Sequence, residues 1–132
     1  TLLGLSDGGA HCSSIIDASV PTWMLMHWTR DRSRGPKLGL ERMVQRQTGD
    51  TAAFFGMRDR GLLKPGLKAD INVFDYAGLK LRKPEIRYDL PMNGRRLVQR
   101  AEGYKHTFVA GIETFRNGQF TGAMPGKLVR AT

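Results

Sequence analysis

The sequence predicts an α/β chain in which helices come first and strands follow. Three observations carry that prediction. A short apolar run, Leu2-Leu3-Gly4-Leu5, stops abruptly in the polar turn Ser6-Asp7-Gly8-Gly9. Up to about Met57 the apolar residues recur mostly at helical spacing. From about Gly61 the pattern changes to period two, broken by Pro-Gly and Asn-Gly pairs that mark bends.

The opening run is apolar throughout, as a strand covered on both faces requires. Its C-terminal end carries Asp7. Catalytic side chains in α/β barrels sit at such strand ends, so Asp7 is the first candidate for chemistry. An aspartate there also starts turns and caps helices, and both roles stay open. Residues 12–20 read as a loop containing Ser13, Ser14, Asp17 and Ser19. Pro21 is preset for the first turn of a helix over 22–31, which is apolar nearly all round. His27 within it reads as a packed, hydrogen-bonded core histidine. Gly35-Pro36 breaks the chain. Leu40, Met43 and Val44 then give a surface helix ending near Gln47. Thr48-Gly49-Asp50 offers an N-cap for a short helix over 51–55, stopped by Gly56.

In the second part, Pro65-Gly66 makes a turn and residues 71–75 alternate as a strand. Residues 80–91 hold Pro84 and Pro91 and are expected to cross the surface extended. Residues 108–119 are the clearest hairpin region, with bends at Gly111 and Asn117-Gly118. Three or four strands are expected in all, with no fixed repeat.

Composition narrows the partners. Net charge is +9, from 21 Lys and Arg against 12 Asp and Glu. The charges are scattered in short runs such as Arg30-Asp31-Arg32 and Arg95-Arg96, with no nucleic-acid motif beside them. A solvated or partner-facing basic surface is the expectation, not nucleic-acid binding. No run approaches the ~20 apolar residues of a membrane helix, so no membrane partner is expected. The single cysteine, Cys12, excludes an internal disulfide and fits a reducing, cytoplasmic compartment. It reads as a small buried residue. The three histidines lie too far apart to show a metal site by local spacing. The chain opens on Thr1 without an initiator Met or a signal peptide, as a processed chain or a piece of a longer one would.

Two stretches together resemble the amidohydrolase superfamily: the Leu3-Gly4-Leu5-Ser6-Asp7-Gly8-Gly9-Ala10-His11 opening, and Arg60-Gly61-Leu62-Leu63-Lys64-Pro65-Gly66-Leu67-Lys68-Ala69-Asp70-Ile71-Asn72-Val73-Phe74-Asp75. Further matches bring it nearest to the D-aminoacylase family, the N-acyl-D-amino-acid deacylases. These are Asp17-Ala18-Ser19, His27-Trp28, Arg30-Asp31-Arg32, the run from Arg95 to Tyr104, and Thr121-Gly122-Ala123-Met124-Pro125-Gly126. The resemblance implies the C-terminal end of a metal-dependent (β/α)8 barrel. Residues 1–60 would supply its last strand and C-terminal helices, and residues 61–132 strands of a small β-sandwich with a tail.

The implied activity is zinc-dependent hydrolysis of N-acyl-D-amino acids to a D-amino acid and a carboxylate. Asp7 matches the carboxylate that takes a proton from water, and it would also share a metal ion. Gly8, Gly9 and His11 would border the substrate, although His11 reads more readily as a turn histidine that hydrogen-bonds the loop. One or two zinc ions are implied for the complete enzyme. The family's His-x-His pair, its Cys or acidic bridge and its two later histidines have no counterpart here. The chain is therefore expected to be a C-terminal portion, inactive and metal-free alone, whose partner is the missing N-terminal part of the barrel. The alternatives are a cyclic-amide hydrolase of the dihydropyrimidinase or dihydroorotase kind, a non-catalytic basic binding module, and a structural remnant that pairs with another subunit.

Overall fold

Pro21 stands in the first turn of helix α1 (Val20–Met26), where its missing N–H costs no hydrogen bond. The computed structural model describes Leu2 and residues 11–129, so most of the expected opening strand and the Asp7 turn lie outside the described residues. A 3₁₀ turn, Asp17–Ser19, leads into α1. The predicted helix over 22–31 does continue to Asp31, but its last turn widens to a π-helix, His27–Asp31. There the Arg32 N–H reaches back to the His27 carbonyl at 2.9 Å. His27 is half-buried, not a core residue. Its ring stacks on that of Trp23 at 4.5 Å, and Trp23 is itself exposed.

Helix α2 (Leu40–Gln47) has the predicted bounds and buries Met43. Helix α3 (Gly49–Phe54) follows after Thr48. Thr48 does not cap it by side chain: its hydroxyl donates back to the Val44 carbonyl at 2.8 Å. Residue Gly61 has a φ of +89° and lies against α3. A Cβ there would stand 2.7 Å from the Ala52 Cβ, so only glycine lets the second part start this close to the helix.

Eight strands are described, twice the upper expectation. They are β1 (Ile71–Phe74), β2 (Lys80–Leu81), β3 (Glu85–Leu90), β4 (Gly94–Val98), β5 (Ala101–Glu102), β6 (Tyr104–Val109), β7 (Ile112–Arg116) and β8 (Gln119–Phe120). An antiparallel sheet runs β1-β6-β7-β8, with Ile71 opposite Phe108 and Phe115 opposite Phe120. Its two bends, Ala110-Gly111 and Asn117-Gly118, have positive φ at both residues, as type I′ hairpin turns require. Ala69 and Asp70 hold the first bend. The Gly111 N–H donates to the Ala69 carbonyl at 2.9 Å, and the Ala110 N–H donates to the Asp70 carboxylate at 2.8 Å.

The expected surface crossing over 80–91 is extended and mostly exposed, but it is paired and forms β2 and β3. Strand β3 pairs with β4, and β2 pairs with β5. The two prolines bound β3 rather than interrupt it, since Pro84 precedes it and Pro91 opens the turn after it. Glu85-Ile86-Arg87-Tyr88-Asp89-Leu90 alternates charged and apolar residues, although every one of them is exposed.

The core lies where the two parts meet. Leu25 of α1, Met43 of α2 and Leu79 ahead of β2 are buried together, with Trp28, Phe74, Tyr76 and Tyr104 packed round them. Arg30 fastens the same seam. Its guanidinium donates to the carbonyls of Tyr76 at 2.6 Å, Ala77 at 3.1 Å and Leu79 at 2.8 Å, while Nε bonds Asp31 at 2.6 Å. No helix among the described residues is long and apolar enough to cross a membrane.

Candidate functional site

Of the residues singled out by sequence, Asp7, Gly8 and Gly9 lie outside the described residues. His11 is described. It is exposed, has a φ of +51°, and its carbonyl accepts the N–H groups of Ser14 at 2.8 Å and Ile15 at 3.1 Å. It therefore opens a tight turn at the head of the loop that follows Asp7. Cys12 is free and half-buried, more open than expected.

The loop after His11 is gripped from the strand region. The Leu97 N–H of β4 donates to the Cys12 carbonyl at 2.7 Å. Ser19 Oγ donates to Gln99 Oε1 at 2.5 Å, and Gln99 Nε2 donates to the Arg82 carbonyl at 2.9 Å. The buried Thr22 and the half-buried Tyr104 join their hydroxyls at 2.8 Å. The run from Arg95 to Tyr104, picked out by sequence only as a match, is thus the wall against which residues 12–22 rest. Sequence reasoning missed Gln99 and its pairing with Ser19, because the two residues stand 80 positions apart.

Three other features carry charge. A cleft of about 660 Å³ is lined by Arg82, Arg100, Lys105 and His106, with Glu102 among them. Arg82 is paired to Glu102 at 2.6 Å. On the neighbouring strands, Arg116 and His106 both bond the Glu113 carboxylate, His106 Nδ1 at 2.6 Å. Arg116 first, and His106 second, hold that carboxyl at about 2, well below its ordinary 4.5. Arg96 likewise pairs with Asp89 through two 2.7 Å bonds and lowers that carboxyl. Among the described residues no group of three or more His, Cys, Asp or Glu side chains could hold a metal ion.

Comparison with known proteins agrees with the motifs. The sequence profile of the amidohydrolase family matches residues 1–120. An uncharacterized protein of Mycobacterium tuberculosis is 34% identical over 125 residues, which is 91% of this chain and 20% of that protein. D-aminoacylase of Alcaligenes xylosoxydans xylosoxydans is 33% identical over 109 residues, covering 83% of this chain and 20% of the enzyme. A crystal structure of D-aminoacylase superposes with a TM-score of 0.58 at 31% identity, over 78% of this chain and 19% of that one. The chain thus spans about a fifth of the length of the proteins it matches.

Proposed function

The chain belongs to the amidohydrolase family, and on that premise we propose that it is the C-terminal part of a deacylase. The whole protein would hydrolyse the amide bond of N-acyl-D-amino acids to a D-amino acid and a carboxylate. The observation that carries this is the similarity to D-aminoacylase, in sequence and in fold, over about four-fifths of the chain. On this reading residues 1–60 are the last strand and closing helices of a (β/α)8 barrel. Residues 61–132 belong to a small β-sandwich with a C-terminal tail.

Asp7 is the proposed catalytic carboxylate. It would take a proton from the hydrolytic water and return it to the leaving amine. Gly8 and Gly9, which have no Cβ, would leave room for the substrate beside it, and His11 would stand at the rim. Amidohydrolases are generally metal-dependent, and zinc is the ion proposed for the whole protein, with Asp7 as this chain's contribution. The described residues by themselves do not fit a metal. The other ligands are therefore assigned to the rest of the protein. The single free cysteine supports a reducing, cytoplasmic setting.

The test is an assay of the whole purified protein on matched N-acyl-D- and N-acyl-L-amino acids, with Asp7→Asn beside the wild type. The D-substrates should be hydrolysed, and Asp7→Asn should lower turnover about 100- to 10,000-fold with the fold kept. Preference for L-substrates or for a cyclic amide would replace the substrate assignment. Near-normal turnover by Asp7→Asn would reduce Asp7 to a turn residue.

A further inference from the structure

Gln99 lies in the short link between β4 and β5 and uses both ends of its amide. The Arg82 carbonyl can only accept, so the amide nitrogen must face it. That fixes the amide oxygen toward Ser19 and makes the Ser19 hydroxyl the donor. The hydroxyl has one proton. Its other acceptor, the Ile16 carbonyl, is farther at 3.3 Å, so the 2.5 Å bond to Gln99 is the stronger one. Arg82 is itself held, its N–H donating to the Arg100 carbonyl at 2.8 Å. Two positions before Gln99, Leu97 holds the Cys12 carbonyl. Residues 97–99 therefore hold both ends of the loop over 12–19, one through the backbone and one through a side chain whose orientation is dictated.

We infer that Gln99 is a positioning residue for this loop, acting through Ser19 to set the shape of the substrate site. The inference rests on the deacylase reading, in which the loop follows the reacting carboxylate. Loops after barrel strands build the active-site face. A shift of ~1 Å in such a loop is enough to lower turnover about 100-fold. The strand region thus has a direct part in the reaction's geometry, besides covering the helices.

The experiment uses the whole protein and the variants Gln99→Leu, Ser19→Ala, the double variant, and Ser19→Thr, which keeps a hydroxyl. Three quantities are read: kcat and KM on an N-acyl-D-amino acid, the melting temperature, and amide hydrogen exchange over residues 12–19. Gln99→Leu and Ser19→Ala should each lower kcat about 10- to 100-fold, with faster exchange over 12–19 and little change in melting. The double variant should be no worse than the poorer single, because both break the same Ser19–Gln99 bond. Ser19→Thr should recover most of the lost kcat. Losses that multiply in the double variant, or normal kcat with normal exchange in Gln99→Leu, would overturn the inference. If Gln99→Leu does not fold, Ser19→Ala against Ser19→Thr decides. If the wild type leaves every N-acyl-D-amino acid intact, the deacylase reading fails. The exchange data still decide whether Gln99 holds the loop, and unchanged exchange would show that it does not.

Discussion

Thr22 and Tyr104 share a 2.8 Å hydroxyl-to-hydroxyl hydrogen bond although they stand 82 positions apart. Thr22 is buried in α1 and Tyr104 starts β6, so the bond crosses the seam between the helical and strand parts. It lies beside the Leu25-Met43-Leu79 core. Tyr104→Phe leaves the Thr22 hydroxyl buried without that partner and should cost about 1 to 2 kcal/mol. Thr22→Val added to it removes the orphaned group, so the double variant should be less destabilised than the two single losses summed. Urea unfolding of the three variants checks this. Strictly additive losses would mean that the bond contributes nothing of its own.

Arg30 makes the same seam by different chemistry. A planar guanidinium reaches the Tyr76, Ala77 and Leu79 carbonyls together, which a lysine ammonium cannot match in geometry. Arg30→Lys should therefore cost about 1.5 to 3 kcal/mol, the range of a hydrogen bond to a charged group. Most of that loss should persist in high salt, because the acceptors are carbonyls rather than a mobile counter-charge. A destabilisation that vanishes at 1 M salt would place the effect on the exposed Arg30–Asp31 pair instead.

These two contacts show which parts of the fold are legible in sequence. Signals that act within a few residues are plain. Leu40, Met43 and Val44 give the bounds of α2, Pro21 gives the start of α1, and Asn117-Gly118 gives the last hairpin bend. Signals set by distant partners are hidden. Arg30-Asp31-Arg32 looks like a solvated charge run, yet the place of Arg30 is fixed by carbonyls 46 to 49 positions away. Strand β3 was obscured by its flanking prolines, and it exposes both faces, so its charged and apolar alternation marks no buried side. The candidate site divides in the same way. Asp7-Gly8-Gly9 is visible as a motif but lies outside the described residues. The Gln99–Ser19 bond is plain in the structure and has no local signature at all.

Ala69-Asp70 has a physical role that its motif does not state. The Asp70 carboxylate accepts the Ala110 N–H at 2.8 Å and faces the Lys68 ammonium at 3.4 Å. It therefore pins the β6–β7 bend to the strand entering the sheet, where Ala110 already has a φ of +51°. Asp70→Ala should cost about 1 to 3 kcal/mol and should speed hydrogen exchange at Ala110 and Gly111 before other sheet amides. Uniform exchange across the sheet would mean that the bend is held by the Ala69 carbonyl alone.

Glu113 sets the behaviour of the sheet in acid. Its side chain is 16% exposed. Arg116 and His106 hold its carboxyl at about 2, against an ordinary 4.5. A carboxyl lowered on folding binds its proton more readily in the unfolded chain, so its contribution is complete above about pH 4.5. That contribution is lost as pH falls from about 4.5 to about 2, because the unfolded state takes up the proton first. Glu113→Gln should therefore flatten the pH dependence of stability in that window. Arg116 is two-thirds exposed, so added salt should move the Glu113 midpoint upward. Carboxyl carbon shifts followed by NMR give the midpoint directly. A value near 4.5 would show that the Arg116 and His106 contacts are too loosely held in solution to favour the ionised form.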